Sequence, residues 1–455
     1  MHNPEQIRNI AIIAHVDHGK TTLVDAILRQ TGVFRQNEQV AERILDSNDI
    51  ERERGITILA KNTAVMHRGY KLNLVDTPGH ADFSGEVERI LTMVEGALLL
   101  VDAFEGPMPQ TKFVVEKALQ KGITPILVVN KIDRPGARPA EVVDEVLDLL
   151  IQLGAEDDQI DFPIFYASAR YGVADEDLDR VLSQIQSFMN TGTMPEDASI
   201  QPLLDAVIRH IPQPGGELDK PLQMLITILD HDEYLGRVAI GRIFNGRLGS
   251  GETVVVGKEL PGKRIKLANI FTFGPLKRLP ADEVGAGDIA AFTGYEEIEI
   301  GDTVMDSERP QPLPPVHVDE PTLTMTFRAN DSPFAGREGK YVTSRQLRER
   351  LFREAKVDVS LRVEETDSPD TFRVSGRGEL HLGILLENMR REGYELQVSK
   401  PDVIWRREGD QLLEPIEEVL VEVPDEFVGT VIERLGGGKG EMLDMQPFGE
   451  GMTRL

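Results

Sequence analysis

The stretch NIAIIAHVDHGKTTLVDAILRQTG (residues 9–32) decides the fold of the first third of the chain. It opens with NIAIIA, an apolar and β-branched run that is typical of a buried strand. TTLVDAILRQ then spaces apolar residues as a helix does, and Gly32 follows as a helix-ending residue. The segment between them nearly matches the phosphate-binding pattern G-x-x-x-x-G-K-[ST], with Ala14 in place of the first glycine. Strand, loop and helix in this order predict a site for nucleotide phosphates.

The predicted loop carries the groups that a bound phosphate needs. Gly19 lets the backbone approach the phosphates, and the N–H groups of residues 17–22 and the helix dipole supply positive potential. Lys20 provides a charge for the β- and γ-phosphates, and the hydroxyl of Thr21 can ligate Mg²⁺. The predicted phosphate-binding residues are Asp17, His18, Gly19, Lys20, Thr21 and Thr22.

A second apolar strand ends within LNLVDTPGHADF (72–83). The carboxylate of Asp76 follows this strand directly and can reach Mg²⁺ through water. Gly79 can donate its backbone N–H to the γ-phosphate. A second strand end with such groups strengthens the prediction of a nucleotide site.

Two further strand ends predict which base is bound. ILVVNKID (126–133) ends in polar residues, among them Asp133, whose carboxylate only accepts hydrogen bonds. Guanine presents N1–H and its 2-amino group there, whereas adenine would leave the carboxylate unpaired. In YASAR (166–170), the N–H of Ala169 is available to guanine O6. The predicted base-site residues are Asn130, Lys131, Asp133, Ser168 and Ala169, and the predicted ligands are GTP and GDP.

These motifs together resemble the P-loop GTPase fold. ERERGITI (51–58) is similar to the first switch of translational GTPases. The resemblance implies that Thr57 binds Mg²⁺ and the γ-phosphate. The implied metal-site residues are therefore Thr21, Thr57 and Asp76.

His80 stands where many small GTPases carry glutamine. A single histidine is more often structural than catalytic, but the resemblance implies that His80 positions the attacking water. It also implies that Val16 and Ile56 form an apolar gate that holds the histidine back until a partner triggers it. Unaided hydrolysis is then expected to be slow, with most of the rate supplied in trans. Related factors further imply a monovalent cation beside Asp17.

The composition excludes other classes of protein. The chain has 77 acidic and 50 basic residues, and its net charge of −27 argues against a general nucleic-acid binder. It has no cysteine, which excludes disulfides and thiolate metal sites. The sequence has neither a signal-peptide layout nor an apolar stretch long enough to span a bilayer. We expect a cytoplasmic monomer without a membrane partner.

The rest of the chain predicts further domains. IPQPGGELDKP (211–221) is rich in proline and glycine and ends the first domain. Short β-branched runs separated by glycines then suggest a β-barrel. Residues 322–399 predict the order β-α-β-β-α-β of a ferredoxin-like fold. The expected fold is multidomain: an α/β P-loop GTPase domain (1–210), a β-barrel domain (218–310), an α+β ferredoxin-like domain (320–400) and a partial second ferredoxin-like domain (412–455).

A basic cluster lies in the first helix of the ferredoxin-like region and in the segment before it. The cluster could form a solvated helix face, paired with nearby glutamates. It could equally contact the phosphates of ribosomal RNA. The sequence leaves both interpretations open for Arg337, Lys340, Arg345, Arg348, Arg350 and Arg353.

The sequences of several segments resemble those of a known family. GRVAIGRIFNGRLGSG (236–251) and SGRGELHLGILLENMRREG (375–393) resemble the second and third domains of elongation factor G and its relatives. Residues 400–424 run directly into a new strand and leave no room for the large fourth domain of that factor. LDSNDIERERGITILAKNTAV (45–65) and NDSPFAGREGKYVTSRQLRERL (330–351) are similar to the BipA (TypA) family, and the second differs from the LepA type. The resemblance covers essentially the whole chain.

Membership of that family implies a GTPase that binds the ribosome, through RNA and proteins of the large subunit. It implies roles in large-subunit assembly and in stress and cold adaptation. Some members bind guanosine tetraphosphate, which would use the same pocket. Residues 414–455 predict only β-α-β, half of another ferredoxin-like domain, whereas family members continue further. We therefore expect an incomplete chain.

Different functional classes remain open at this point. In the first, the protein is an enzyme whose GTP hydrolysis times its departure from the ribosome. In the second, GTP only licenses docking of a binding or assembly factor, and hydrolysis is incidental. An ATP-dependent metabolic enzyme is disfavoured by the base-site residues, above all Asp133.

Overall fold

The computed structural model describes residues 2–32, 49–54, 57–58, 60–78, 80–155, 157–232, 234–314, 320–358, 360–409, 411–447 and 451–455. Contacts divide the chain into the compact units Met1–Ile404 and Trp405–Leu455, and each is described by itself. The first unit holds an α/β region, a strand-rich region and an α+β region in chain order.

A mixed sheet with helices on both faces forms the α/β region. Ile10 and Ile12 of the first strand enter the core on one face, and Ala11 and Ile13 enter the core on the other. The strands are β1 (Ile7–Ala14), β2 (Lys61–His67), β3 (Tyr70–Asp76), β4 (Gly96–Asp102), β5 (Thr124–Asn130), β6 (Ile164–Ser168) and β7 (Val173–Asp175). The helices are α1 (Lys20–Gln30), α2 (Asp49–Arg54), α3 (Ser84–Ile90), α4 (Pro109–Gln120), α5 (Pro139–Gln152), α6 (Asp157–Ile160), α7 (Leu178–Thr191) and α8 (Gln201–His210).

The strand order of this sheet is β2-β3-β1-β4-β5-β6-β7. β1 runs parallel to β3 and β4, and β4, β5 and β6 continue the parallel set. The carboxyl ends of these strands therefore meet at one edge. In doubly wound α/β sheets this edge is where ligands bind.

The strand-rich region is barrel-like and packs on the α/β region through buried polar contacts. Its main sheet has the order β12-β11-β17-β8-β9-β16-β13-β14, and β10 pairs with β15. Lys71 of β3 forms an ion pair of 2.8 Å with Asp288, and both side chains are buried. The strands are β8 (Gln223–Asp232), β9 (Gly236–Asn245), β10 (Arg247–Gly249), β11 (Thr253–Gly257), β12 (Lys263–Lys266), β13 (Ile270–Phe273), β14 (Arg278–Ala281), β15 (Glu283–Gly285), β16 (Ile289–Thr293) and β17 (Thr303–Met305).

The α+β region has the ferredoxin-like order of elements. Its antiparallel sheet runs β19-β20-β18-β21, with β22 also paired to β18. Leu347 and Leu382 from the two helices pack with Phe327 and Val374 of the sheet. The elements are β18 (Leu323–Ala329), α9 (Ser344–Val357), β19 (Arg362–Glu365), β20 (Thr371–Gly376), α10 (Glu379–Glu392), β21 (Leu396–Val398) and β22 (Asp402–Val403).

The second unit contains a hairpin and a small sheet with the order β25-β27-β26. Its elements are β23 (Arg406–Glu408), β24 (Gln411–Leu413), β25 (Glu422–Pro424), α11 (Val428–Gly437), β26 (Gln446–Pro447) and β27 (Met452–Arg454). Together with the first unit, these elements fit the expected multidomain class.

Candidate nucleotide-binding site

The predicted phosphate loop connects β1 to α1 at the carboxyl edge of the sheet. Gly19 precedes α1 with a φ of 94°, a left-handed conformation that glycine adopts readily. A Cβ atom at this position would also collide with the side-chain amide of Asn130. Glycine is therefore required here both by the backbone conformation and by the approach of a neighbouring side chain.

Lys20 and Asp76 meet beside this loop. The Nζ atom of Lys20 lies 3.0 Å from Oδ1 of Asp76 and donates a hydrogen bond to the carbonyl of Thr77. The hydroxyl of Thr77 donates to the carbonyl of Ile12 at 2.7 Å, which ties the ends of β3 and β1 together. Two motifs that are far apart in sequence thus place a buried cation against a buried carboxylate.

The other predicted loop residues differ in exposure. His18 is fully buried, whereas Asp17 is exposed and has a positive φ of 64°. Val16 and Thr21 are partly exposed, and Thr22 is exposed in the first turn of α1.

Asn130 fastens the phosphate loop to the predicted base loop. Its Nδ2 donates to the carbonyl of His18 at 2.8 Å, and its Oδ1 accepts the N–H of Ala169 at 3.0 Å. The N–H that the sequence suggested for guanine O6 is therefore bonded to Asn130 in this structure. Because Asn130 is only 1% exposed, both bonds are shielded from water.

The predicted base-reading carboxylate of Asp133 lines a cavity. The hydroxyl of Ser168 donates to Oδ1 of Asp133 at 2.6 Å, which orients the carboxylate. Lys131 has a positive φ of 60° and lines the same cavity. The cavity measures about 470 Å³ and is lined by Glu105, Lys131, Asp133, Arg134, Pro135 and Arg170.

Charged residues from β4 and the loop after it complete this end of the site, and sequence reasoning missed them. The Nζ atom of Lys131 lies 2.9 Å from Oδ2 of the buried Asp102. Arg134 lies 3.2 Å from Glu105. The His18 ring, 3.4 Å away, holds the pKa of Glu105 down at about 2 despite partial burial. The signal was present, because VDAFEG (101–106) spans the end of a buried apolar strand, as the recognised motifs do.

Thr57 is buried next to a fixed segment of chain. Oε1 of Glu51 accepts the N–H of Ile58 at 2.9 Å, and Oε2 lies 2.6 Å from Nζ of Lys61. Glu51 is fully buried. Its two contacts link α2, which precedes Thr57 in the chain, to Ile58 and to β2, which follow it. Ile56, the other predicted gate residue, lies outside the described residues.

The side chain of His80 is 38% exposed and is held by the residue two positions later. Nδ1 of His80 lies 3.3 Å from Oδ1 of Asp82 and 3.3 Å from the backbone N of Asp82. The preceding Gly79, predicted to face the γ-phosphate, lies outside the described residues.

Several members of the basic cluster in the ferredoxin-like region are paired with acids. Arg350 is nearly buried and lies 2.7 Å from Glu392. Arg348 lies 2.7 Å from Glu365, and Arg345 lies 3.1 Å from Glu349. The geometry favours a paired helix face for these arginines.

In the part of the chain that the structure describes, no helix combines the length and apolar character that a membrane span requires.

Three parts of the chain match models of translation-factor families. Residues 5–213 match the model of the elongation factor Tu GTP binding domain, and residues 236–305 match elongation factor Tu domain 2. Residues 411–455 match the elongation factor G C-terminus. A crystal structure of a protein from Thermus thermophilus superposes with a TM-score of 0.65 at 19% identity, covering 90% of this chain and 72% of that one. This likeness confirms the expected fold class.

Curated relatives match nearly the whole chain. The large ribosomal subunit assembly factor BipA of Bacillus subtilis (strain 168) is 54% identical over 99% of this chain and 71% of its own length. The factor of the same name from Synechocystis sp. is 53% identical over 99% of this chain and 73% of its own length. The resemblance inferred from the sequence is thus confirmed, and the chain belongs to the BipA family of GTP-binding proteins.

Proposed function

We propose that this chain is a ribosome-associated GTPase that hydrolyses GTP to GDP and phosphate and acts in assembly of the large ribosomal subunit. The observation that carries the proposal is one sheet edge with Lys20 against Asp76 and, further along, Asp133 against Ser168. The first pair suits a phosphate and its metal ion, and the second suits guanine. The description of the relatives as large-subunit assembly factors supports the ribosomal part.

Binding of GTP would change the partners of Lys20 and Asp76. The triphosphate offers Nζ of Lys20 its β- and γ-oxygens in place of the Asp76 carboxylate. The hydroxyls of Thr21 and Thr57, and Asp76 through water, would then hold Mg²⁺, which prefers hard oxygen donors of this kind. When bound, Mg²⁺ neutralises charge on the β- and γ-phosphates.

The other nucleotide contacts follow from the loops. Asp133, steadied by Ser168, would accept from guanine N1–H and the 2-amino group, and Lys131 would lie over the base. Gly79 would donate its N–H to the γ-phosphate, and a monovalent cation beside Asp17 would add charge there. Further phosphate contacts would come from the backbone of His18, Gly19 and Thr22. Asn130 and Ala169 would contact the base once the hydrogen bond between them is exchanged for bonds to guanine.

His80 is the proposed catalytic residue, with Val16 and Ile56 as its apolar gate. An imidazole nitrogen can orient a water for attack on the γ-phosphate, and the ring of His80 is partly exposed, so that a water can reach it. Positioned general acid–base groups contribute roughly 10²- to 10⁴-fold in rate. The ribosome would supply the trigger in trans, since related GTPases are slow when isolated.

The finer parts of the proposal concern partners and setting. We infer contacts with RNA and proteins of the large subunit, action in the cytoplasm as a monomer, and a role in stress or cold adaptation. Guanosine tetraphosphate would compete for the same pocket, because it presents the same base to Asp133.

The test is GTP turnover by the 455-residue chain with and without purified ribosomes, beside a His80→Ala variant. We expect ribosomes to stimulate turnover strongly in the wild type only, with equal GTP affinity in both proteins. Equal stimulated turnover in the variant would remove the catalytic role of His80. Slow turnover that ribosomes leave unchanged would contradict the proposed trigger.

The same variant separates the enzyme from a factor in which GTP only licenses docking. Cells that lack the native protein are supplied with the wild type or with His80→Ala, and their large-subunit assembly intermediates are measured. We expect the assembly intermediates to persist in cells that carry the variant. Full rescue would mean that docking is the function and that hydrolysis is incidental.

A further inference from the structure

Asp82 touches both the proposed catalytic histidine and the third region of the first unit. One carboxylate oxygen, Oδ1, lies 3.3 Å from Nδ1 of His80. The other, Oδ2, accepts the backbone N–H of His381 at 3.1 Å, in the first turn of α10. The side chain is only 14% exposed. A single carboxylate therefore links the DTPGH segment to a helix about 300 residues further along the chain.

Asp82 serves as the N-terminal cap of α10. Gly378 holds the N-cap position and has no side chain with which to accept the N–H groups of the first turn. A Cβ atom built on Gly378 would overlap the Asp82 carboxylate, so glycine leaves the space that this carboxylate fills. A negative charge is also favoured at a helix N-terminus by the helix dipole.

The charge on Asp82 persists in this setting. Burial alone would raise the pKa of Asp82, but hydrogen bonds from His80 and from backbone N–H groups of α10 hold it below its ordinary value. The carboxylate is therefore ionised at neutral pH.

Both contacts of Asp82 with His80 involve the same ring nitrogen. A protonated Nδ1 can donate to the Asp82 carboxylate, whereas an unprotonated Nδ1 can accept from the Asp82 backbone N–H. In either state the ring is held through Nδ1, and Nε2 is the nitrogen left to meet a water.

Helix α10 also packs against α2 and against the segments that carry Thr57 and His80. Ile384 packs in one buried cluster with Phe83, Ile50 and Ile58. At the far end of the helix, Arg391 lies 2.5 Å from Glu53 of α2. The position of Asp82 is thus fixed by an element outside the α/β region.

We propose that Asp82 is a positioning residue for the proposed GTP hydrolysis: it holds the His80 ring through Nδ1, and the N-terminus of α10 holds Asp82. The inference rests on the proposed role of His80. A shift of the ferredoxin-like region relative to the α/β region would move this carboxylate and with it the histidine.

The central test is Asp82→Asn in the full chain, because asparagine also caps helices well and keeps the fold. We expect ribosome-stimulated kcat to fall about tenfold, the loss of one charge-assisted contact, with GTP affinity and the KM for ribosomes unchanged. Thermal stability should fall only slightly, because the negative charge at the N-terminus of α10 is lost while the cap remains. A fall in affinity or stability without a fall in kcat would make Asp82 a purely structural cap.

Two glycine-to-alanine variants of α10 and its N-cap test whether the space beside Gly378 positions the Asp82 carboxylate. Neither variant replaces a side chain that contacts His80. Gly378→Ala should displace Asp82 and lower kcat in the same direction as Asp82→Asn. Gly383→Ala is the matched control, because its Cβ would meet open space. Equal kcat in both alanine variants would overturn the proposal.

Single-turnover rates with excess ribosomes separate this inference from the function on which it rests. In a His80→Ala background, Asp82→Asn should cause no further loss, since it acts through the missing ring. A full additional loss would contradict the inference. If His80→Ala alone hydrolyses GTP normally, the proposed catalytic role fails first. If that variant is inactive and Asp82→Asn is normal, only the positioning role fails.

Discussion

The two ends of the nucleotide site are built in different ways. At the base end, strand ends and the loops after them hold Asp133, Ser168 and Asn130 by contacts within the α/β region. At the phosphate end, His80 is held through Asp82 by a helix of the ferredoxin-like region. The comparison teaches that the proposed recognition of guanine depends on local chain geometry, whereas the proposed hydrolysis depends on how separate regions are packed.

We expect the largest single effect at the base end, where Asp133→Asn should change the nucleotide preference. The amide presents a donor where guanine also presents donors, and that donor suits the 2-carbonyl of xanthine instead. We expect the preference for GTP over XTP to change by roughly 10⁴-fold, because a mismatched buried polar group is left unpaired. Competitive nucleotide titration measures the ratio. Asp144→Asn on the exposed face of α5 is the control, and an unchanged ratio in Asp133→Asn would refute the base assignment.

Asn130→Ala tests whether the base end and the phosphate loop form one unit. Without the amide, the carbonyl of His18 and the N–H of Ala169 lose their buried partner. Each unsatisfied group costs about 1–3 kcal/mol, so we expect both lower thermal stability and GTP affinity reduced by at least about tenfold. Calorimetry and nucleotide titration measure the two quantities. Asn190→Ala, at an exposed position on α7, should change neither, and normal GTP affinity in Asn130→Ala would show that the loops are held independently.

The same contrast explains what could be predicted from the sequence. The motifs at the base end could be recognised because each polar group directly follows a buried apolar strand. Asp102 ends β4 and Glu105 lies in the loop after it, but both were overlooked because they do not belong to a recognised motif. Their pairing with Lys131 and Arg134 becomes visible only in the structure.

The contacts at the phosphate end could not be predicted in the same manner. Nothing local to Asp82 indicates that it caps a helix beginning near residue 379, because the two meet only through packing of separate regions. Apolar residues alternate from Val357 to Val363, a pattern typical of a strand, yet β19 begins only at Arg362. Asp358 instead ends α9 and lies 2.6 Å from His381, so a tertiary contact overrides the local pattern.

Glu86→Gln tests the contact between the α/β region and the ferredoxin-like region through the pH dependence of thermal stability. Burial raises the pKa of Glu86 from an ordinary 4.5 to about 7, while Arg89 and the N–H of Ala60 oppose the rise. Because the folded state binds this proton more tightly, the stability it contributes is full below pH 4.5 and is lost as the pH rises towards 7.

Glutamine cannot ionise and can still accept the N–H of Ala60. We therefore expect the Tm of the variant to gain roughly 2–4 °C on the wild type between about pH 5 and pH 8. Asp358 and His381 also face Glu86 and titrate in both proteins, so the difference between the two Tm curves isolates Glu86. Parallel curves would mean that Glu86 keeps an ordinary pKa, and that this interface carries no buried proton.

The smallest effect is expected on the outer face of the ferredoxin-like region, for Arg345→Glu and Arg348→Glu. Arg345 is 88% exposed and its partner Glu349 is also exposed, and exposed pairs of this kind contribute only about 0–1 kcal/mol. Their pairing with acids cancels the charge that a phosphate would meet, so ribosome affinity and its salt dependence should stay unchanged. Binding measured at several salt concentrations checks this. A loss of affinity, with the slope of log affinity against log salt concentration smaller by about 1 per substitution, would instead identify phosphate contacts. The ferredoxin-like region would then take part in ribosome docking and, through α10, in holding Asp82.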